Sequence, residues 1–357
     1  MITEEKITID FCKQAIFEAS KRKKKRKSII KVLDNIDEKA KELRDMVLEE
    51  KYTPSPYSYE TKIEYGKERR LTKVRFFPDQ CIHHILIMLI RDKILKRVDP
   101  YAVASVPNRG QGLGVKKLEY WIQKQPKAKT KAKYCGKGDI KKCFASVRPE
   151  VIMNLYSRIV KDKKYLRLMS KVVYSCNSLP LGNYCSAWTL NLLLKDMDEA
   201  IRGHCAVHHY LRYMDDFIFL CSNKRQAKKL RNIIENELYK IKLKLKDNFQ
   251  LFKIEDRGLD MMGYRVFRNY TLLRKRNFKK ILKILNRMKK NKLYTVHDSQ
   301  SVMSVLGQCR HCTSSFIWKL AGSMINIDMI KKIISEESRR YSYSLLGREY
   351  TPCVILA

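Results

Sequence analysis

Tyr213-Met214-Asp215-Asp216 lies between two strand-like stretches, residues 207–212 and 217–221, rich in aromatic and branched side chains. Such a pattern predicts a β-hairpin with two adjacent acids at its turn. Neighbouring carboxylates beside a core are costly to leave without a cation. A third acid, Asp139, ends another short strand-like run, residues 134–140. Three carboxylates brought to one point have the chemistry of a divalent-metal site that handles nucleotide phosphates.

The charge balance points the same way. Of 357 residues, 75 are Lys or Arg and 37 are Asp or Glu, a formal net charge of +38. The surplus runs from residue 21 to 340, so the fold repels itself in isolation and calls for a polyanionic partner. Nucleic acid is the expected one, with binding that falls steeply with salt; a membrane surface is the competing polyanion. No apolar run approaches the ~18 residues of a spanning helix, and no signal-peptide pattern opens the chain. The 11 cysteines are scattered, several within apolar segments (Cys81, Cys185, Cys221), and read as reduced, core-filling thiols of a cytoplasmic protein. Cys309 and Cys312 have metal-ligand spacing without a second matching pair, so packing on a helix is expected there rather than zinc.

Along the chain, apolar steps of three and four predict helices over residues 8–50. The basic run 21–27 within them is either a solvated face or a phosphate contact. Residues 61–77 read as a basic hairpin, and a helix follows from Pro78 with His83 and His84 as packed or solvated residues. The glycine-rich stretch 108–114 lacks the Lys-Ser/Thr ending of a P-loop. It reads as a basic loop on a nucleic-acid backbone, followed by a helix over 115–124. Then come a strand and turn over 133–146, helices over 149–176 and 183–202, and the hairpin over 206–221. A basic helix passing into a strand spans 224–246, and a hairpin spans 259–273. Basic helices begin at Lys275, with a final helical stretch over 302–335.

The ordered motifs resemble a reverse transcriptase over nearly the whole chain. Asp139-Ile140-Lys141-Lys142-Cys143-Phe144 resembles the first palm motif, with an aromatic five positions after the metal-binding acid. Leu179-Pro180-Leu181-Gly182 followed by Ser186 resembles the motif written LPQG, and Tyr213-Met214-Asp215-Asp216 the family's signature. Asp260-Met261-Met262-Gly263-Tyr264 followed by Leu272-Leu273-Arg274-Lys275 resembles the primer-grip hairpin that leads to the thumb. The resemblance implies an α+β right-hand polymerase: an antiparallel palm sheet with packed helices, fingers and palm over 1–270 including basic helices over 1–50, and a helical thumb over 271–357.

It also implies roles. Asp139, Asp215 and Asp216 would be catalytic and, with Ile140, would hold two Mg²⁺, with Mn²⁺ as a substitute. Phe144 would pack under the sugar of the incoming nucleotide and select deoxynucleotides. Lys67, Arg69, Arg70, Leu181, Gly182, Tyr213 and Met214 fall on the nucleotide side. Arg75, Arg109, Lys246, Gly263, Tyr264, Arg274 and Lys275 fall on the nucleic acid. The implied partners are template RNA, a cDNA or primer strand and dNTPs, with no membrane.

Within the family, residues 257–275 together with Pro78, Asp79, His83 and His84 resemble enzymes of bacterial and phage diversity-generating retroelements. Those carry an aliphatic residue in place of the LPQG glutamine, here Leu181. Error-prone copying of template RNA at adenines is then expected, with a small basic helical accessory protein, monomeric or oligomeric. The family usually follows the serine with glutamine, whereas here Ala187 follows Ser186. No endonuclease, ribonuclease H or maturase module is recognisable, nor the retron signatures. A defence-associated or otherwise domesticated reverse transcriptase, and a catalytically inactive RNA-binding protein on the same scaffold, remain the alternatives.

Overall fold

The computed structural model describes residues 2–24, 26–64, 67–124, 132–291, 294–313 and 315–345. The chain forms two compact units, one of Met1–Gly110 with Tyr134–Phe252 and the other of Gln111–Lys133 with Lys253–Ala357.

The first unit opens with α1 (Ile9–Ser20), α2 (Lys27–Asp34) and α3 (Ile36–Leu48). Thr8 starts α1 by accepting the Phe11 amide at 3.1 Å, and Cys12, Ala15, Ile16 and Ala19 form its buried stripe. The basic hairpin is β1 (Ser58–Glu64) and β2 (Lys67–Lys73), paired antiparallel with Tyr59 opposite Thr72. Helix α4 (Cys81–Leu95) is buried on nearly all sides, including His83 and His84. His84 stacks on Tyr184 with ring centroids 3.6 Å apart. Helix α5 (Gln111–Glu119) runs on into a π-helical turn over Tyr120–Lys124, so the expected 115–124 segment is helical throughout; it belongs to the second unit.

The chain returns to the first unit as β3 (Tyr134–Asp139), α6 (Cys143–Ser146), α7 (Pro149–Ile159), α8 (Lys163–Val173), α9 (Tyr184–Leu193) and α10 (Lys195–Arg202). β4 (Val207–Tyr213), β5 (Asp216–Cys221), α11 (Lys224–Lys240) and β6 (Gln250–Lys253) follow. The strands form one sheet in the order β4-β5-β3-β6. Two expected long helices are each divided. Asp162 separates α7 from α8 by capping the Tyr165 amide at 2.8 Å, and Leu194 breaks α9 from α10. Close approach explains the glycines of β3: a Cβ at Gly136 or Gly138 would meet the Phe219 or Phe217 ring at 2.1 or 2.3 Å.

The second unit contains α12 (Ile254–Arg257) and a meander of β7 (Leu259–Met261), β8 (Tyr264–Val266) and β9 (Thr271–Leu273). The composition shift near 270 therefore falls inside one hydrogen-bonded sheet. Helices α13 (Lys275–Asn291), α14 (Val296–Gln308), α15 (Ser315–Met324) and α16 (Ile327–Leu345) follow. The expected helical stretch over 302–335 is built from α14, α15 and α16, the last begun by Asn326, whose Oδ1 accepts the Met329 amide at 3.0 Å. Among the described residues no helix is long and apolar enough to cross a membrane.

Candidate active site

The hairpin turn consists of Met214 and Asp215, because Tyr213 pairs directly with Asp216. Met214 takes φ 57°, a left-handed backbone that a non-glycine residue adopts only when its surroundings impose it. What imposes it lies behind the turn. Arg212, fully buried, donates from Nη1 to the Met214 carbonyl at 2.8 Å. The same guanidinium donates to both Asp198 carboxylate oxygens, at 2.7 and 2.8 Å, and to Asn191 Oδ1 at 3.1 Å. Tyr210 donates to Asp198 Oδ1 at 2.5 Å. Burial pushes the Asp198 carboxyl up. Burial also opposes charge on Arg212, but Asp198 more than offsets it and holds the guanidinium above its ordinary value. A strand, two helices and the acid-bearing turn are thus tied through one side chain.

Across the sheet, Asp139 at the end of β3 is the register partner of Asp216. Directly opposed residues share a sheet face with Cβ atoms about 4.5–5.5 Å apart, so their carboxylates stand side by side. Lys246 answers that charge: its Nζ lies 2.8 Å from Asp139 Oδ2, and its amide donates to the Asp139 carbonyl at 2.9 Å. The hydrogen bond to Asp139 raises the Lys246 pKa, helped by Asp216 and Asp215. Burial, and after it Asp215, raises the thiol of Cys143. Among the described residues no three His, Cys, Asp or Glu side chains form a ready-made metal cluster. The donor set nonetheless fits Mg²⁺, which takes one or two protein carboxylates and completes its shell with water and substrate phosphate oxygens.

The remaining expected residues divide. Phe144, half-buried on α6, packs against the core, and its carbonyl accepts the Leu179 amide at 3.1 Å. Ile140 is buried. The Leu181 carbonyl accepts the Thr72 amide of β2 at 2.9 Å. Gly182 takes φ 140°, and a Cβ there would lie 2.0 Å from the Thr72 carbonyl oxygen, so only glycine lets this loop meet the strand. Arg75 is exposed just beyond β2. The side chains of Lys67, Arg69 and Arg70 lie outside the described residues. Arg109 is half-buried, and its Nη1 donates to the carbonyls of Asp99 and Ala102 at 2.7 and 3.0 Å.

In the second unit, Gly263 at φ 84° makes the β7–β8 turn. Its carbonyl accepts the Arg274 amide at 2.9 Å, and Arg274 pairs with Asp260. Lys275 is exposed at the start of α13. Tyr264 is buried, and its hydroxyl donates to the Gln308 carbonyl at 2.8 Å. The Arg212–Asp198 pair was not anticipated. Its signal was an arginine near the end of a strand, beside Leu211, and an acid between the apolar Met197 and Ile201.

An antiparallel sheet that opposes two acids beside an acid-bearing turn is the framework of a two-metal nucleotidyl transferase. Residues 71–266, more than half of the chain, match the family model of the reverse transcriptase (RNA-dependent DNA polymerase), and the chain belongs to that family. No curated protein matches it in sequence. Among solved structures it is similar to apo telomerase from Candida tropicalis truncated from the C-terminal domain, at 14% identity and a TM-score of 0.41, over 61% of this chain and 54% of that one. The match thus spans about half the length of that chain.

Proposed function

We propose that this protein is an RNA-directed DNA polymerase that makes cDNA from a template RNA, with error-prone copying at template adenines in a diversity-generating retroelement. The observation that carries the polymerase reading is the register pair Asp139–Asp216 beside the strained Met214–Asp215 turn. Asp139, Asp215 and Asp216, with the Ile140 backbone, would hold two Mg²⁺ or Mn²⁺. Such ions activate a primer 3′-hydroxyl and steady the triphosphate.

The chain's own residues supply the rest. Arg212 fixes the turn that aims Asp215 and Asp216. Lys246 pairs with Asp139. The Phe144 ring is the group that would collide with a ribose 2′-hydroxyl, while Lys67, Arg69 and Arg70 bring charge for the triphosphate. Leu181 supports the mutagenic part of the reading, since an aliphatic side chain offers no hydrogen bond with which to check template geometry. A small basic accessory protein would then help hold the template.

The test is primed copying of a mixed-sequence RNA with Mg²⁺, beside Asp215→Ala, followed by sequencing of the cDNA. Product from the parent protein alone, with errors concentrated opposite adenine, is expected. Accurate product would overturn the mutagenic role and keep the polymerase. Equal product from Asp215→Ala would overturn the site.

A further inference from the structure

A second concentration of charge lies away from the carboxylates, where the N-terminal basic run meets the end of β2. A pocket of about 580 Å³ there is lined by Lys23, Arg26, Lys31, Lys39 and Arg75, against a single acid, Glu42. Glu42 is already engaged by Lys39, 2.7 Å away. Lys23 is turned inward and donates to Gln80 Oε1 at 2.7 Å. The side chains of Arg26, Lys31 and Arg75 make no hydrogen bond or ion pair among the described residues, and all three are exposed. Phe77 forms part of the wall, with Lys39 Nζ 5.4 Å from its ring centre.

Five cations converging on a concave surface repel one another unless an anion joins them, and the low-dielectric walls focus their field. Lys23 registers that strain: burial first, and Arg26 next, lower its pKa. Arginine forks and lysine point charges together suit phosphate oxygens, and an aromatic wall suits a stacked base. The pocket is also joined to the copying site through β2, since Thr72, which binds the Leu181 carbonyl, stands three residues before Arg75, roughly 10 Å along an extended chain.

We infer that this pocket is a holding site for the phosphate backbone of single-stranded RNA, separate from the carboxylate site. Arg26, Lys31 and Arg75 grip the phosphates and Phe77 offers a face to one base. The site rests on its own charge and shape, and it binds whether or not the protein turns over.

The experiment measures binding of a labelled single-stranded RNA of about ten nucleotides across a salt series, in an Asp215→Asn background so that catalysis plays no part. Arg26→Gln with Lys31→Gln should reduce the log–log salt slope by about 1.4, from roughly 0.7 per phosphate contact on a single strand, and weaken binding at least tenfold. Both side chains are exposed, so thermal unfolding should not move. Lys228→Gln with Lys229→Gln on α11, also exposed, removes the same charge elsewhere and should leave the slope nearly unchanged. An equal loss in both double variants, or no loss in the first, overturns the site. Displacement of the RNA by inorganic triphosphate in the parent but not in Arg26→Gln/Lys31→Gln would make it a nucleotide pocket and overturn the single-strand assignment.

Discussion

The buried Arg212–Asp198 pair should be a positioning device for the catalytic turn, and its two contributions can be separated. Arg212→Met leaves the Asp198 carboxylate buried with only the Tyr210 hydroxyl. Removing one member of a buried pair costs about 3–5 kcal/mol, and the orphaned Met214 carbonyl adds about 1–3 kcal/mol. That sum rivals the whole stability of many domains, commonly about 5–15 kcal/mol, so the single variant tests folding rather than function. The informative protein is the double variant Asp198→Leu/Arg212→Met. Replacing both charges by apolar groups of similar size is often neutral or stabilising, so urea unfolding should return to within about 2 kcal/mol of the parent.

The Met214 carbonyl stays unheld in that double variant. If the hydrogen bond from Arg212 fixes the strained turn, losing about 1.4 kcal/mol of orientation lowers kcat about tenfold. The KM for dNTP should change little, because Phe144, Leu181 and Gly182 are untouched. Arg212→Lys, which keeps charge but lacks the fork needed to span Asp198, Asn191 and Met214 at once, should show the same kcat loss. Steady-state kinetics and urea unfolding on the same preparations decide the matter. A double variant that recovers stability and kcat together would reduce the pair to core packing and refute the positioning role.

Three further outcomes are expected. Phe144→Ala should admit ribonucleotides, narrowing the dNTP preference about tenfold or more in single-nucleotide incorporation; unchanged discrimination would remove its gate role. Lys246→Met should raise Mn²⁺ affinity, read by electron paramagnetic resonance, roughly two- to fivefold, since a partly exposed ion pair is worth about 0.5–1 kcal/mol; weaker binding would mean that Lys246 orders Asp139 instead of competing for it. His83 is buried, which pushes its pKa down to about 4. The unfolded chain therefore binds a proton near pH 6.5 that the folded chain refuses, so stability is complete above that pH and falls as pH drops toward 4. His83→Leu should flatten the stability profile between about pH 6 and 5 by about 1.4 kcal/mol per pH unit, and an unchanged slope would place the titration elsewhere.

What could be read from the sequence follows the range of the forces involved. The Tyr213–Asp216 turn was legible because side-chain alternation and turn chemistry act between neighbours. The pairing of Asp139 with Asp216 joins residues far apart in the chain, and only the β4-β5-β3-β6 order brings it about. The breaks within 149–176 and 183–202 were missed because apolar periodicity continues across them, while one capping acid, Asp162, decides where a helix begins. Asp198 was missed for a different reason. Its place on the Met197–Ile201 face of α10 marks it as buried, but the partner that makes it useful, Arg212, lies on another element and appears only once the chain folds.

The same reasoning applies to the basic run. Composition assigns residues 21–27 a common charge, but each cation's task depends on what the fold sets beside it. Lys23 meets Gln80 of the turn before α4, whereas Arg26 faces Arg75 across an open pocket and finds no anion. A lysine already satisfied by its own chain gains little from a phosphate, and an arginine left facing another arginine gains much. Partner binding should therefore concentrate at the cations that folding leaves unanswered. On this chain those are Arg26, Lys31 and Arg75 at the pocket, which is why neutralising two of them should change the salt slope when removing the same charge from α11 does not.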